Sequence, residues 1–189
     1  MKTDTEKWFG GLGETFLSEI GIRKGQEVLD FGCGRGDYVI PAAKIVGSRG
    51  QVYALDKGRR QLEQVASRAK LYQLENITLV LPSERLKVPL EDHSIDVVLL
   101  YDVIHPFYFS SATRRELLRE IQRVSRPNAL ISVYPGHMDW QDAQREIESA
   151  SLRLERRIYK TLLHNHRLIR DTVLNFRPQV PGVRNTDAN

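Results

Sequence analysis

Glu27-Val28-Leu29-Asp30-Phe31-Gly32-Cys33-Gly34-Arg35-Gly36-Asp37-Tyr38 is the stretch that decides how the rest of this chain is read. It opens with an apolar run short enough for a buried strand and ends in three glycines at every second position. Pro41-Ala42-Ala43-Lys44-Ile45-Val46 then reads as a helix. Strand, glycine turn and helix together bring bare backbone against a nucleotide-like ligand, because glycine has no side chain to hold that ligand away.

Two details narrow the ligand. A dinucleotide fingerprint would need glycine at 32, 34 and 37, and position 37 is Asp. Asp30, at the strand end, would repel a pyrophosphate and attract an amino-acid ammonium group. S-adenosylmethionine (SAM) carries such an ammonium and a sulfonium, and no phosphate. An acid followed by Gly-x-Gly-x-Gly resembles the first motif of the class I SAM-dependent methyltransferases.

The chain has 189 residues, enough for one domain with its own core, expected over residues 1–177. Residues 1–25 are expected to add an N-terminal helix or lid, and residues 178–189 a disordered tail. No apolar run reaches membrane-spanning length, and the polar start lacks a signal-peptide core. The lone Cys33 excludes an internal disulfide and fits a reducing, cytoplasmic setting. The formal net charge of +4 is uneven: residues 151–177 hold seven Lys/Arg against two Asp/Glu. An anionic partner would be sought there.

Outward from the glycine turn, Trp8, Phe9, Leu12, Phe16, Leu17 and Ile20 take helical spacing, with Gly10, Gly11 and Gly13 loosening the start. Trp8 and Phe9 read as core residues in preference to a flap over a ligand. Residues 51–56 form a second strand ending in Asp56, twenty residues beyond Gly36, where a carboxylate can meet a ribose diol. The plainer reading of Asp56 is a helix cap. Residues 58–75 read as a charged helix with Leu62, Val65, Ala66, Ala69 and Leu71 inward, closed by Asn76. Strands follow at 77–81 and 94–100, a helix at 113–124 and a fifth strand from a turn at Arg126-Pro127-Asn128, where Asn128 is expected to supply a left-handed residue. Arg115, Arg119 and Arg123 read as a solvated helix face. A helix at 139–150 and two strand-like runs at 152–160 and 167–176 complete the chain.

Further segments are similar to the small quinone-biosynthesis-like (type 11) group of these methyltransferases. Pro82-Ser83-Glu84-Arg85-Leu86-Lys87-Val88-Pro89 looks like the family segment Gly-Asp-Ala-x-x-Leu-Pro-Phe, and Tyr101-Asp102-Val103-Ile104-His105-Pro106-Phe107 resembles the fourth motif. The resemblance implies an α/β three-layer sandwich: a Rossmann-like, mostly parallel seven-stranded sheet closed by an antiparallel hairpin. It implies SAM held by Asp30, Gly32, Cys33, Gly34, Gly36, Asp56, Lys57, Ser83, Glu84, Arg85 and Tyr101.

The expected function is methyl transfer from SAM to a small-molecule acceptor. An RNA or protein methyltransferase using the basic C-terminal segment, or a non-catalytic SAM-binding subunit, are the alternatives. A small molecule is preferred over nucleic acid because few aromatics interleave the arginines of 151–177. No membrane span is expected, and an oligomer is left open. The acceptor pocket is expected from Trp8, Phe9, Tyr101, His105, Phe107, Tyr108 and Phe109. His105 reads either as a catalytic base or as a structural histidine bonded to backbone. His164 and His166 have no further ligand set near them in sequence, so no metal site is expected.

Overall fold

The computed structural model describes residues 2–82 and 86–179. In chain order the elements are helix α1 (Asp4–Lys7), a wide π turn (Trp8–Leu12), α2 (Gly13–Ile20), strand β1 (Glu27–Phe31), α3 (Val39–Val46), β2 (Gln51–Leu55), α4 (Arg59–Leu71), β3 (Ile77–Val80), β4 (Ile95–Tyr101), α5 (Ser111–Val124), β5 (Ser125–Tyr134), α6 (Trp140–Glu148), β6 (Leu152–His164) and β7 (Arg167–Pro178). The strands form one seven-stranded sheet in the order β3-β2-β1-β4-β5-β7-β6. β1 to β5 are parallel, and β7 runs antiparallel to both β5 and β6. This is the three-layer α/β arrangement expected from the alternation of strands and helices.

The central strands are apolar on both faces because helices cover both. Along β4, Val97, Leu99 and Tyr101 join a core with Trp8, Leu17, Val39 and Val65. Val98 and Leu100, one step out of phase, join the opposite core with Leu117, Ile121, Ala143 and Ile147. A near-continuous hydrophobic run is what a doubly covered parallel strand requires. At the other edge of the sheet, β6 exposes Glu155, Arg156, Arg157, Tyr159 and Lys160 and buries Leu152, Ile158, Leu162 and Leu163.

The N-terminal segment is tied into the domain. The capping box of Thr3 and Glu6 starts α1, and Gly11 at φ 128° permits the π turn. Trp8 is fully buried against Phe16 and Tyr38, and its indole N–H donates to the Asp37 carbonyl at 2.7 Å. Phe9 packs against Tyr72, with the Arg68 guanidinium over its ring. Both are core residues in this structure.

Four readings of the sequence need correction. In α4 only Leu62 and Val65 are buried, while Ala66 is exposed and Leu71 is 74% exposed. The helix ends at Leu71, and the turn beyond it sends Tyr72 and Leu74 inward in its place. Asn128 is not left-handed, because residues 126–128 continue β5 as extended backbone. Arg123 is not merely solvated: it pairs with Glu120 and Asp92 and donates to the Leu90 and Val88 carbonyls, pinning the 88–92 segment. Pro178, assigned to the tail, is the last residue of β7; residues 180–189 lie outside the described part.

Candidate functional site

In a parallel sheet the loops after each strand gather at one edge, and there the chemistry-bearing residues meet. Gly32, Gly34 and Gly36 all take positive φ, so the chain turns off β1 in a tight coil. A side chain at Gly32 would strike Val103 at 2.9 Å, which brings the loop after β1 against the loop after β4. Gly34 differs: nothing lies within 4 Å of the place its Cβ would occupy. That space is open to a ligand.

Asp30 ends under this turn. Its side chain is only 3% exposed, and its Oδ2 has no hydrogen-bond partner among the described residues. Burial, and secondarily the nearby charges of Asp56 and Asp37, push its carboxyl up to about 8. A buried acid without a partner is costly unless something outside the chain completes it. An ammonium group fits this position in charge and in hydrogen-bonding capacity, and SAM carries one.

Asp56 stands beyond the end of β2. Its Oδ2 accepts the Gly34 N–H at 2.9 Å, and its Oδ1 accepts the Gly58 N–H at 2.8 Å. Each oxygen keeps a further lone pair, enough for a diol. Lys57 follows on the exposed turn into α4. Cys33 is buried, with its thiol pushed well up by burial and by the charges of Asp30 and Asp56; it fills the loop and is no nucleophile. Asp37, the residue that breaks the dinucleotide pattern, is an anchor: Arg68 meets its carboxylate at 2.6 Å and Arg35 at 3.3 Å.

Tyr101, the last residue of β4, is buried at this edge. Its hydroxyl bonds the Ser132 hydroxyl at 2.9 Å and its ring stands edge-on to Tyr38, 4.5 Å between centroids. Burial raises both phenols, so neither ionises near neutral pH. The β6–β7 tip folds over the glycine turn, since Tyr38 donates to the Leu163 carbonyl at 2.7 Å and Arg35 bonds His166. Ser83, Glu84 and Arg85, read as adenine contacts, lie outside the described residues.

His105 is brought to this edge, 2% exposed, with burial lowering its basicity. Its Nδ1 accepts the Phe107 N–H at 3.2 Å. A neutral ring then carries its proton on Nε2, which faces Asp102 Oδ1 at 3.8 Å. With one nitrogen engaged and the other protonated, His105 lacks a lone pair for abstracting a proton from an acceptor. Of the remaining aromatic set, Phe107 and Tyr108 are 81% and 58% exposed and pack on His105.

Sequence reasoning missed two features. Arg114 is buried and forks onto Glu146, with 2.7 Å contacts from Nε and Nη2, which locks α5 to α6. Asp102 and His137 stand at the same strand edge as His105 and His164. The signal for Asp102 was present in the fourth-motif stretch; nothing local marks His137.

The comparisons agree with this geometry. Residues 22–172 match the model of the methyltransferase-domain family. Demethylmenaquinone methyltransferase of Staphylococcus aureus (strain MRSA252) is 32% identical over 117 residues, 61% of this chain. The match covers 45% of that relative, so this chain spans about half the length of the curated relatives it matches. A SAM-dependent methyltransferase from Aquifex aeolicus has the same fold, with a TM-score of 0.70 at 24% identity over 87% of this chain and 88% of its own. The [4+2]-cyclase SpnF shares it too, at TM-score 0.68 and 13% identity, covering 88% of this chain and 82% of that one. The glycine turn, the strand order and the family match together place this chain in the methyltransferase-domain family, among the class I SAM-dependent methyltransferases.

Proposed function

We propose that this protein transfers the methyl group of SAM to a small-molecule acceptor. The observation that carries the proposal is the unpartnered, buried Asp30 carboxylate beneath an open glycine turn. Asp30 would receive the ammonium, the backbone of residues 32–36 with Cys33 would line the amino-acid portion, and Asp56 with Lys57 would flank the ribose. Ser83, Glu84 and Arg85 remain the proposed adenine contacts, and Tyr101 closes the methionine end. Bound SAM supplies a methyl group made electrophilic by its sulfonium. The chain contributes orientation and exclusion of water: Asp30, Asp56 and the turn fix the cofactor, and the β6–β7 tip covers it.

The preference for a small acceptor rests on the state of the basic segment. Arg156 donates to the Glu19 and Ile20 carbonyls, Lys160 pairs with Glu19 at 3.0 Å, and Arg177 pairs with Glu155 at 3.1 Å. Arg157 lies over Trp140 and Arg170 over Tyr159. Cations so engaged form a poor phosphate track. The relative named for demethylmenaquinone supports the same direction. Among the described residues no helix is long and apolar enough to cross a membrane.

The fold alone does not dictate methyl transfer, as a cyclase with this architecture illustrates. The deciding experiment measures conversion of SAM to S-adenosylhomocysteine against a panel of quinols, phenols and amines beside an RNA panel. Turnover with a small molecule and none with RNA is expected. Tight SAM binding without turnover on any acceptor would favour a non-catalytic SAM-binding subunit.

A further inference from the structure

We propose that Asp102, His137 and His164 form a binding site for a divalent transition-metal ion of the zinc type, with one coordination position open toward the acceptor side of the cleft. The three residues come from three different segments: the turn after β4, the turn after β5 and the end of β6. Each offers one ligand atom, and all three atoms lie within 4.8 Å of one another.

The spacing is wider than that of a hydrogen-bonded cluster and leaves room for an ion between the three atoms. His137 Nε2 stands 3.8 Å from Asp102 Oδ1, and His164 Nδ1 stands 3.9 Å from Asp102 Oδ2. Both are too long for hydrogen bonds. Bonds of about 2.0–2.1 Å at tetrahedral angles set neighbouring ligand atoms roughly 3.4 Å apart. The two Asp102 distances exceed that by about half an ångström, and a pair at the 4.8 Å limit by about 1.4 Å, so modest side-chain movement would draw the set onto a cation.

The surroundings point the same way. Asp102 Oδ1 has no hydrogen-bond partner among the described residues, and neither has Nε2 of His105, whose side chain is 2% exposed and directed at it. Asp102 takes a left-handed conformation at φ 58°, a strained placement that presents its carboxylate to the two histidines. Gly136 lies directly against the carboxylate: a Cβ there, at φ 60°, would lie 2.3 Å from Asp102 Oδ1 and push it aside. His105 would act from outside the ligand set, its Nε2–H directed at the coordinating carboxylate in the manner of other outer-shell donors. His164 Nε2 meets the Asn165 amide at 2.9 Å, and that amide can rotate to accept the ring proton once Nδ1 holds an ion.

Two imidazoles and one carboxylate suit Zn²⁺, Co²⁺ or Fe²⁺ better than Mg²⁺, which demands oxygen ligands. Three protein ligands leave a position for an exogenous oxygen or nitrogen. The exposed His137 leaves the pocket accessible from solvent. Ion binding stands independently of the methyltransferase reading; only the placement of the open position beside an acceptor rests on it.

The test uses full-length protein freed of metal by dialysis against a chelator and titrated with Zn²⁺ against a chromophoric competitor. Asp102→Asn, His137→Ala and His164→Ala are measured beside it, with His93→Ala as a control far from the cluster. One Zn²⁺ per chain is expected for the wild type and for His93→Ala, weakened about 100-fold or more in the other three. Mg²⁺ should not compete. Co²⁺-loaded wild type should show the intense visible absorption of a four-coordinate site, a readout that needs no variant to fold. Absence of stoichiometric binding by the wild type would overturn the proposal, and so would affinity unchanged in His137→Ala and His164→Ala. SAM calorimetry on the metal-free protein is run in parallel. Loss of SAM binding with ion binding intact would strike the methyltransferase reading alone, and the reverse would strike the metal site alone.

Discussion

Asp56 and Gly34 are joined across two separate β–α turns: the Asp56 Oδ2 accepts the Gly34 N–H at 2.9 Å. One carboxylate thus shapes the glycine turn while offering its remaining lone pairs to the cleft. Asp56 is not the cap of α4, whose N-cap Gly58 has no side-chain cap; its other oxygen holds the turn ahead of the helix by accepting the Gly58 N–H.

Asp56→Ala is therefore expected to lose both ribose contacts and the preorganisation of residue 34. SAM affinity should fall by about 2 kcal/mol or more, on the order of 30-fold. Calorimetry at fixed salt measures it; an unchanged dissociation constant would remove Asp56 from the cofactor site.

Asp30→Asn separates stability from binding. The carboxyl rises from an ordinary 3.8 to about 8 in the folded chain, so the folded state keeps a proton that the unfolded state has lost. The folded state binds more protons between those values, and stability contributed by Asp30 therefore falls as pH rises from about 4 to about 8. Without ligand, the Asp30→Asn substitution should raise the melting temperature, and the gap to wild type should widen across that window. SAM affinity should drop in the same variant. In the wild type, binding should release a proton while the ligand's ammonium keeps its own, visible as a buffer-dependent enthalpy. A variant less stable than wild type at pH 8 would contradict this account.

Gly34→Val tests the open face of the turn. The added side chain meets no protein atom within 4 Å of its Cβ, though φ 53° makes any Cβ there strained. A folded protein of somewhat lowered stability with SAM binding abolished is expected, by circular dichroism and calorimetry on the same sample.

Glu146→Ala should leave the buried Arg114 guanidinium uncompensated and cost roughly 3–5 kcal/mol in urea unfolding. The double variant Arg114→Met/Glu146→Leu should recover most of that loss, because removing both charges removes the desolvation penalty as well. SAM affinity of either folded variant should stay near wild type.

Trp8→Phe should retain most of the packing but lose the hydrogen bond to the Asp37 carbonyl, about 1 kcal/mol. In Trp140→Phe, where Trp8 is the remaining indole, acrylamide quenching should be weak and insensitive to SAM. Quenching that SAM suppresses would show instead that the N-terminal segment opens and closes over the cofactor.

What the sequence determined by itself was local. A strand, three alternating glycines and an acid at the strand end are contiguous, and glycine conformation and period-two patterning act over a few residues, so Asp30, residues 32–36 and the order of strands and helices were legible. The resemblance added the seven-stranded sheet and its antiparallel closing hairpin, and only the structure gave the strand order. The inward side of α4 was misjudged at Ala66 and Leu71 because burial depends on where the helix stops, which tertiary contacts of Tyr72 and Leu74 decide. Arg123 looked like a surface charge, and Arg114 drew no notice, because their partners Asp92 and Glu146 lie some thirty residues away.

Only the tertiary structure assembled the Asp102–His137–His164 cluster. From sequence, His164 had no ligand set beside it. β7 runs antiparallel to β5 and to β6, so the end of β6 returns to the edge where the parallel strands end. That reversal sets a hairpin tip beside turns more than twenty-five and sixty residues upstream, a proximity of sheet topology that no local spacing encodes.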